Sequence, residues 1–250
     1  MTVDAERGRS ELIRCFHEAR ADPGRVVIEG FHALKHALRF GARIETAVAV
    51  DPAAARALAH SLAPDIERRL ADILEPVPAK LFRELAPHPP DSGILALARR
   101  PSPSVPPVPL SAPVVLLDAP AHLGNLGAAV RVAAAAGAAA VLTTGPLDPW
   151  HPTAVRAAAG LHFALPVARI ADLDAIPGPI IGLDPNGAPI HPRKLPRAAV
   201  YAFGSERRGL SAELRDRTEA LLALPMREGV SSLNLATSVA ALLYLLALCR

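Results

Sequence analysis

Hydrophobic and polar positions along the chain fall into two blocks, separated by a stretch with no period at all. In the first block RVVIEG and IETAVAV read as strands flanking the helical stretch FHALKHALRFG. A second helical region runs from about Pro52 to Leu74, and GILALARR closes the block as a further strand. The second block repeats short apolar runs, PVVLLD, AAVLTTG, PIIGLD, AAVYAFG and ALLALPM, that alternate with helix-like segments. Continuous apolar strands alternating with helices predict a parallel sheet covered on both faces. Between the blocks lies PSPSVPPVPLSAP, with six prolines in thirteen positions, a stiff extended composition that reads as a linker. The pattern therefore predicts a small α/β domain over 1–100, a Pro-rich linker over 101–113 and a larger α/β domain over 114–250. No internal repeat is visible.

With 250 residues and 51% hydrophobic positions, the chain can bury a substantial core and hold two domains. The longest apolar run, Leu235 to Cys249, is broken by Thr237 and Ser238 and falls short of the roughly 20 residues a bilayer requires, so it predicts a buried helix and no membrane partner. The opening MTVDAERGRS mixes acids and bases where an export signal places a basic and then an apolar stretch. Cys15 and Cys249 sit at opposite ends and form no CxxC or Cys/His cluster. A cytoplasmic protein without a metal site is expected. A formal net charge of +3 is compatible with a polyanionic partner and also with an ordinary surface. Arginine outnumbers lysine 24 to 3, which suits phosphate recognition and equally reflects genomic base composition.

Three segments of the second block carry candidate chemistry, each where a strand gives way to a loop or helix. The carboxyl edge of a parallel sheet is where open α/β folds bind ligands. HLGNLGAAVR places Gly124 and Gly127 around Asn125 just before an alanine-rich helix, where free amides and glycine permit close ligand approach; a tight strand-to-helix turn is the plainer reading. Arg131 follows, a charged residue among apolar ones, which as a surface side chain would simply snorkel. FGSERRGLS ends a strand with Gly204, presents Glu206, and offers Ser211 as a cap for the next helix. LPMREGVSSLN brings Ser231 and Ser232 to the start of the final helix, with Ser232 suited to capping it. Asn234 is harder to explain, because asparagine inside a helix weakens it.

In order and spacing, these segments resemble the three motifs of the SpoU, or TrmH-type, branch of the SPOUT methyltransferases, and the first block resembles the ribosomal-protein-like RNA-binding domain that precedes them in many members. RVVIEGFHALKHALRFGA and SGILALARRP carry the second likeness. The resemblance implies an RNA 2′-O-ribose methyltransferase using S-adenosylmethionine, with a C-terminal trefoil knot and a homodimeric assembly, acting on rRNA or tRNA. It implies Asn125, Arg131, Glu206, Ser232 and Asn234 as the catalytic and RNA-orienting set. Gly204, Leu224, Met226 and Leu233 would line the methyl-donor pocket. The chain departs from the family's usual form at Val132 and Ala134, where a hydroxyl residue and an acid are common, and at Ala158, where a serine is common.

Sulfonium methyl transfer needs alignment and removal of the hydroxyl proton and no metal. The resemblance implies that Arg131 accepts or steers that proton; an arginine is a poor base, and an equally good account has it stabilise a developing alkoxide or hold a phosphate. Two other classes fit parts of the pattern. A noncatalytic RNA-binding module of the same fold would use the basic pairs Arg99-Arg100, Arg193-Lys194 and Arg207-Arg208. A dinucleotide enzyme would need a GxGxxG that the first motif, with only Gly124 and Gly127, does not supply, and Asp184 has no glycine fingerprint upstream.

Overall fold

A computed structural model describes residues 3–249. The chain divides into two compact units, one gathering the chain up to Pro101 together with Trp150–Ala164, the other Ser102–Pro149 and the chain from Leu165 onward. On the sequence pattern, 150–164 fall in the second domain.

The first unit runs α1 (Val3–Ala19), β1 (Arg25–Glu29), α2 (Phe31–Arg39), β2 (Ile44–Ala49), α3 (Pro52–Leu62), α4 (Glu67–Ile73), β3 (Leu74–Pro76), α5 (Ala79–Leu85) and β4 (Ile94–Arg99). The predicted strands and first helix are all present. The single helical region expected over 52–74 is split at Pro64, whose ring and missing N–H interrupt the ladder. The elements α1, β3 and α5 lie outside the sequence reading. The α1 signal was available in Leu12, Ile13, Phe16 and Ala19, a helical stripe that packs on Leu85, Leu95 and Leu97. Strand order is β1-β4-β2-β3, with β4 antiparallel to both neighbours and β3 parallel to β2.

Residues 150–164 complete this unit. Trp150, Ala154, Val155 and Ala158 are buried, and buried Glu29 accepts hydrogen bonds from Arg20 at 3.0 Å and Arg156 at 3.3 Å. His36 Nδ1 lies 2.7 Å from the carbonyl oxygen of Ala159. Gly160, at φ 75°, passes so close to α2 that a Cβ there would sit 2.2 Å from the Ala33 carbonyl oxygen, so only glycine fits.

The second unit contains β5 (Val114–Leu117), α6 (Leu123–Ala135), β6 (Ala140–Thr143), β7 (Val167–Arg169), β8 (Ile180–Pro189), β9 (Val200–Phe203), α7 (Ala212–Asp216), β10 (Ala220–Ala223) and α8 (Leu235–Leu248). All strands pair in parallel, as the apolar runs predict, and their order is β10-β8-β9-β5-β6-β7. Every position of β5, β6 and β9 is buried. Val114, Leu116, Leu142, Val200, Leu210 and Leu214 form one cluster, each large aliphatic side chain contributing roughly 1.5–3 kcal/mol relative to exposure. Residues 101–112 carry no regular structure. The C-terminal apolar run is the helix α8, but only one stripe of it, Leu235, Val239, Leu242, Leu243 and Leu246, is buried, while Tyr244 and Leu248 face outward. No helix among the described residues is long and apolar enough to cross a membrane.

Candidate active site

Three loops meet at the carboxyl edge of β5, β9 and β10. The loop after β5 is held from below by Asp118. This buried carboxylate accepts from the Thr144 hydroxyl at 2.8 Å and from the Ser211 amide at 2.7 Å. Thr144 Oγ1 in turn accepts from the amide of Ala119, which sits at φ 45°. With its backbone fixed in this way, the loop points the Ala121 N–H at Glu206, 2.8 Å away.

The loop after β9 is a tight hairpin in which Ser205 and Gly209 exchange backbone hydrogen bonds, each 3.0 Å. Gly204 opens it. A Cβ at Gly204 would lie 2.0 Å from the Gly209 carbonyl carbon and 2.2 Å from the Leu210 nitrogen. The close approach that demands glycine is thus made by the chain's own backbone. Ser211 caps α7 through Leu214, as the sequence predicts.

The third loop ends at Asn234, where the sequence reading is corrected. Asn234, rather than Ser232, is the N-cap of α8, its Oδ1 accepting from the amides of Ala236 and Thr237. The asparagine that looked misplaced inside a helix stands at its favoured position. Ser232 is exposed two residues earlier. The first motif is corrected as well: α6 already begins at Leu123, with His122 as N-cap, so Gly124, Asn125 and Gly127 lie in its first two turns and not in a turn before it.

These loops create a directed chain of hydrogen bonds. Because the cap uses Oδ1 of Asn234, its Nδ2 is free to donate to Asn125 Oδ1 at 3.0 Å. Asn125 Nδ2 then donates to Glu206 Oε1 at 2.6 Å. Burial alone would raise the Glu206 pKa, but the hydrogen bonds from Asn125 and the Ala121 amide, with the nearby charge of His122, outweigh it and hold the carboxyl below its ordinary value. The site presents an ionised acceptor fixed by both loops.

Beside this chain lies a cavity of about 670 Å³ whose lining includes Gly204, Leu224, Met226, Ser232 and Leu233, together with Asn125, Glu206 and Asn234. Sequence reasoning passed over His122, Leu183 and Leu222, which also line it, and saw Asp184 only as a dinucleotide candidate. Buried Asp184 is engaged by Arg215 and by the Asn186 amide. Burial would raise its pKa, and those two partners hold it low instead.

Arg131 stands apart. It does not line the cavity, its side chain is exposed, and it makes no hydrogen bond or ion pair among the described residues. Six residues along an α-helix advance about 9 Å and turn through about 240°, which carries Arg131 off the face that Asn125 uses. Val132 and Ala134 are partly buried on the same helix, and Ala158 is fully buried in the first unit. No group of three or more His, Cys, Asp or Glu side chains suited to a metal ion occurs among the described residues.

A parallel α/β sheet with its polar groups gathered at one carboxyl edge defines a ligand-binding protein of the open-sheet class. A sequence model described as the SpoU rRNA Methylase family matches residues 112–244, and the chain belongs to that family. Among curated relatives, the 23S rRNA (guanosine(2553)-2′-O)-methyltransferase RlmP of Bacillus subtilis is 36% identical over 141 residues, covering 52% of this chain and 56% of that one. The 23S rRNA (uridine(2479)-2′-O)-methyltransferase of Streptomyces viridochromogenes is 29% identical over 144 residues, covering 52% and 50%. The chain thus spans about half the length of these curated relatives. The crystal structure of an RNA 2′-O ribose methyltransferase superposes with a TM-score of 0.74 at 26% identity, covering 97% of this chain and 95% of that one. The SpoU methyltransferase AviRb of Streptomyces viridochromogenes, solved with AdoMet, gives 0.76 at 23% identity over 96% of each chain, a likeness of fold.

Proposed function

We propose that this protein is an RNA methyltransferase that moves the methyl group of S-adenosylmethionine to a ribose 2′-hydroxyl of rRNA or tRNA. The observation that carries the reading is the hydrogen-bonded chain from Asn234 through Asn125 to Glu206, which joins all three family segments at the rim of one cavity. The 2′-O-methyltransferase activity named for the relatives supports it.

The cavity suits the donor by size and by lining. Its volume lies within the range of about 300–1,000 Å³ typical of small-molecule sites. Leu183, Leu222, Leu224, Met226 and Leu233 offer apolar contact to a purine, and the Gly204 and Ser231–Ser232 stretches offer polar backbone to the rest. When bound, the donor supplies a methyl group activated by its sulfonium. The residues of the chain then have to orient the ribose and exclude competing acceptors. Glu206, ionised and held by two donors, keeps Asn125 and the loop after β5 in register, so that the ribose meets a preorganised wall. Arg131, on the exposed face of α6, grips phosphate or stabilises the developing alkoxide from the RNA side or from a second copy of the chain.

The same reading extends to architecture and setting. The C-terminal part of the chain forms the family's trefoil knot, the first 100 residues are a ribosomal-protein-like RNA-binding domain, 101–113 link it to the SPOUT domain over 114–250, and the protein works in the cytoplasm as a homodimer. Mapping 2′-O-methylated riboses in total RNA from cells with and without the protein tests the function. One or more sites should vanish in its absence. An unchanged map, with RNA still retained by the purified protein, would assign the noncatalytic binding module instead.

A further inference from the structure

Proton removal falls by resemblance to Arg131, which does not line the cavity, and the ionisable groups that do line it narrow the choice of another acceptor. Among the described residues those lining it are His122, Asp184, Glu206 and Arg207. Asp184 is committed to Arg215 and the Asn186 amide. Glu206 is committed to Asn125 and the Ala121 amide. A guanidinium such as that of Arg207 has no lone pair to offer. His122 differs from all three. Its carbonyl opens α6 by accepting from Leu126 at 3.0 Å, but its ring caps no amide of the helix and is exposed at the cavity. It precedes Asn125 by three positions, and both residues line the cavity. Its charge is near enough to bear on Glu206.

We propose that His122 is the proton acceptor of the methyl transfer, an inference that rests on the function proposed above. The 2′-oxygen forms its bond to the methyl carbon as the carbon–sulfur bond breaks, with that electron pair staying on sulfur as a neutral thioether. The hydroxyl proton passes to the unprotonated ring nitrogen of His122. The resulting imidazolium shares the cavity with the Glu206 carboxylate, whose charge favours it until the proton leaves to water. Arg131 is thereby relieved of a role its chemistry resists and keeps the electrostatic one.

Two measurements on the full chain test this. In the first, diethyl pyrocarbonate, which acylates neutral imidazole, is mapped by mass spectrometry with and without saturating S-adenosylhomocysteine. His122 is modified in the free protein and protected in the complex; modification undiminished by the product would remove His122 from the site. In the second, total RNA from cells lacking the protein receives tritiated methyl groups in single-turnover reactions across pH 5.5 to 8.5. The wild-type rate rises with pH and then levels, as transfer to a general base requires. His122→Asn and His122→Gln lose that rise, slow at least ~100-fold at neutral pH, and regain part of the rate with added imidazole. Both variants keep donor affinity by calorimetry. Wild-type rates and pH dependence in the variants, or loss of donor binding in both, would overturn the inference while leaving the function intact. Absence of label with the wild-type protein would instead overturn the function, and this inference with it.

Discussion

Glu206 ties two loops together with one carboxylate, accepting from the Ala121 amide on one oxygen and from Asn125 on the other. Glutamine in its place must turn an NH2 group toward one of those donors, leaving a half-buried contact unmade at a cost of ~1 kcal/mol. The pH dependence follows from the direction of its shift. The folded-state pKa lies below the ordinary 4.5, so the carboxylate contributes stability that is fully present above pH 4.5 and fades as pH falls through the folded value. Urea unfolding at intervals from pH 7 to pH 3 should show a larger acid-side loss in the wild type than in Glu206→Gln; parallel curves for the two proteins would contradict it. At this scale the sequence was informative where residue type and spacing suffice, as for Asn125, Glu206 and Asn234. It was silent on direction. Nothing in HLGN shows that the His122 ring opens onto a cavity, and nothing in FGSERRGL shows that Gly209 and Leu210 press on Gly204, an approach made only in the folded hairpin.

The helices α6 and α8 convert these residues into a site, and their ends decide the geometry. Asn234 serves as cap and as donor at once, so its two duties can be separated. Asn234→Ala removes both, costing about 1 kcal/mol for the cap. Asn234→Ser keeps a capping oxygen but cannot reach Asn125 as the amide does, so thermal stability should largely return while methyl transfer stays low. Recovery of both together in the serine variant would mean that the link to Asn125 carries no function. Arg131 poses the converse case on α6. Because it is exposed and has no hydrogen-bond or ion-pair partner among the described residues, Arg131→Ala should change stability by no more than ~0.5 kcal/mol and spare donor affinity, yet abolish turnover. Arg131→Lys should recover little if the planar fork matters and more if charge alone does. Near-normal transfer by the alanine variant would remove Arg131 from the proposed set. Helix positions were legible in the periodicity, but their first residues were not. Moving the start of α6 ahead of Asn125, and of α8 past Ser232, exchanged the roles of cap and ligand contact, since an error of two residues rotates a side chain by about 200°.

At the scale of the whole molecule, the Pro-rich stretch is the clearest boundary visible in the sequence, and residues 101–112 are irregular and largely exposed. What pattern could not show is that a later piece of chain, Trp150–Ala164, belongs with the first unit. Its short apolar run has no period that distinguishes one core from another; only the folded contacts of Arg156 with Glu29, of Ala159 with His36 and of Gly160 with Ala33 assign it. A covalent boundary and a physical one therefore differ. If a protease site is placed at Ser104 and cut, the fragment from there onward still contributes Trp150, Val155 and Ala158 to the core of the fragment before it. Burying three such side chains is worth several kcal/mol by area, at about 25 cal/mol per Å², and separation would also strip Glu29 of one of its two cations. The nicked halves should elute together from a gel-filtration column under native conditions and part only in denaturant. Gly160→Ala, which drives a methyl group into the Ala33 carbonyl, should weaken that association in the nicked protein before it visibly lowers the stability of the second unit. Halves that separate freely after cleavage would show that residues 150–164 add nothing to the first unit's stability.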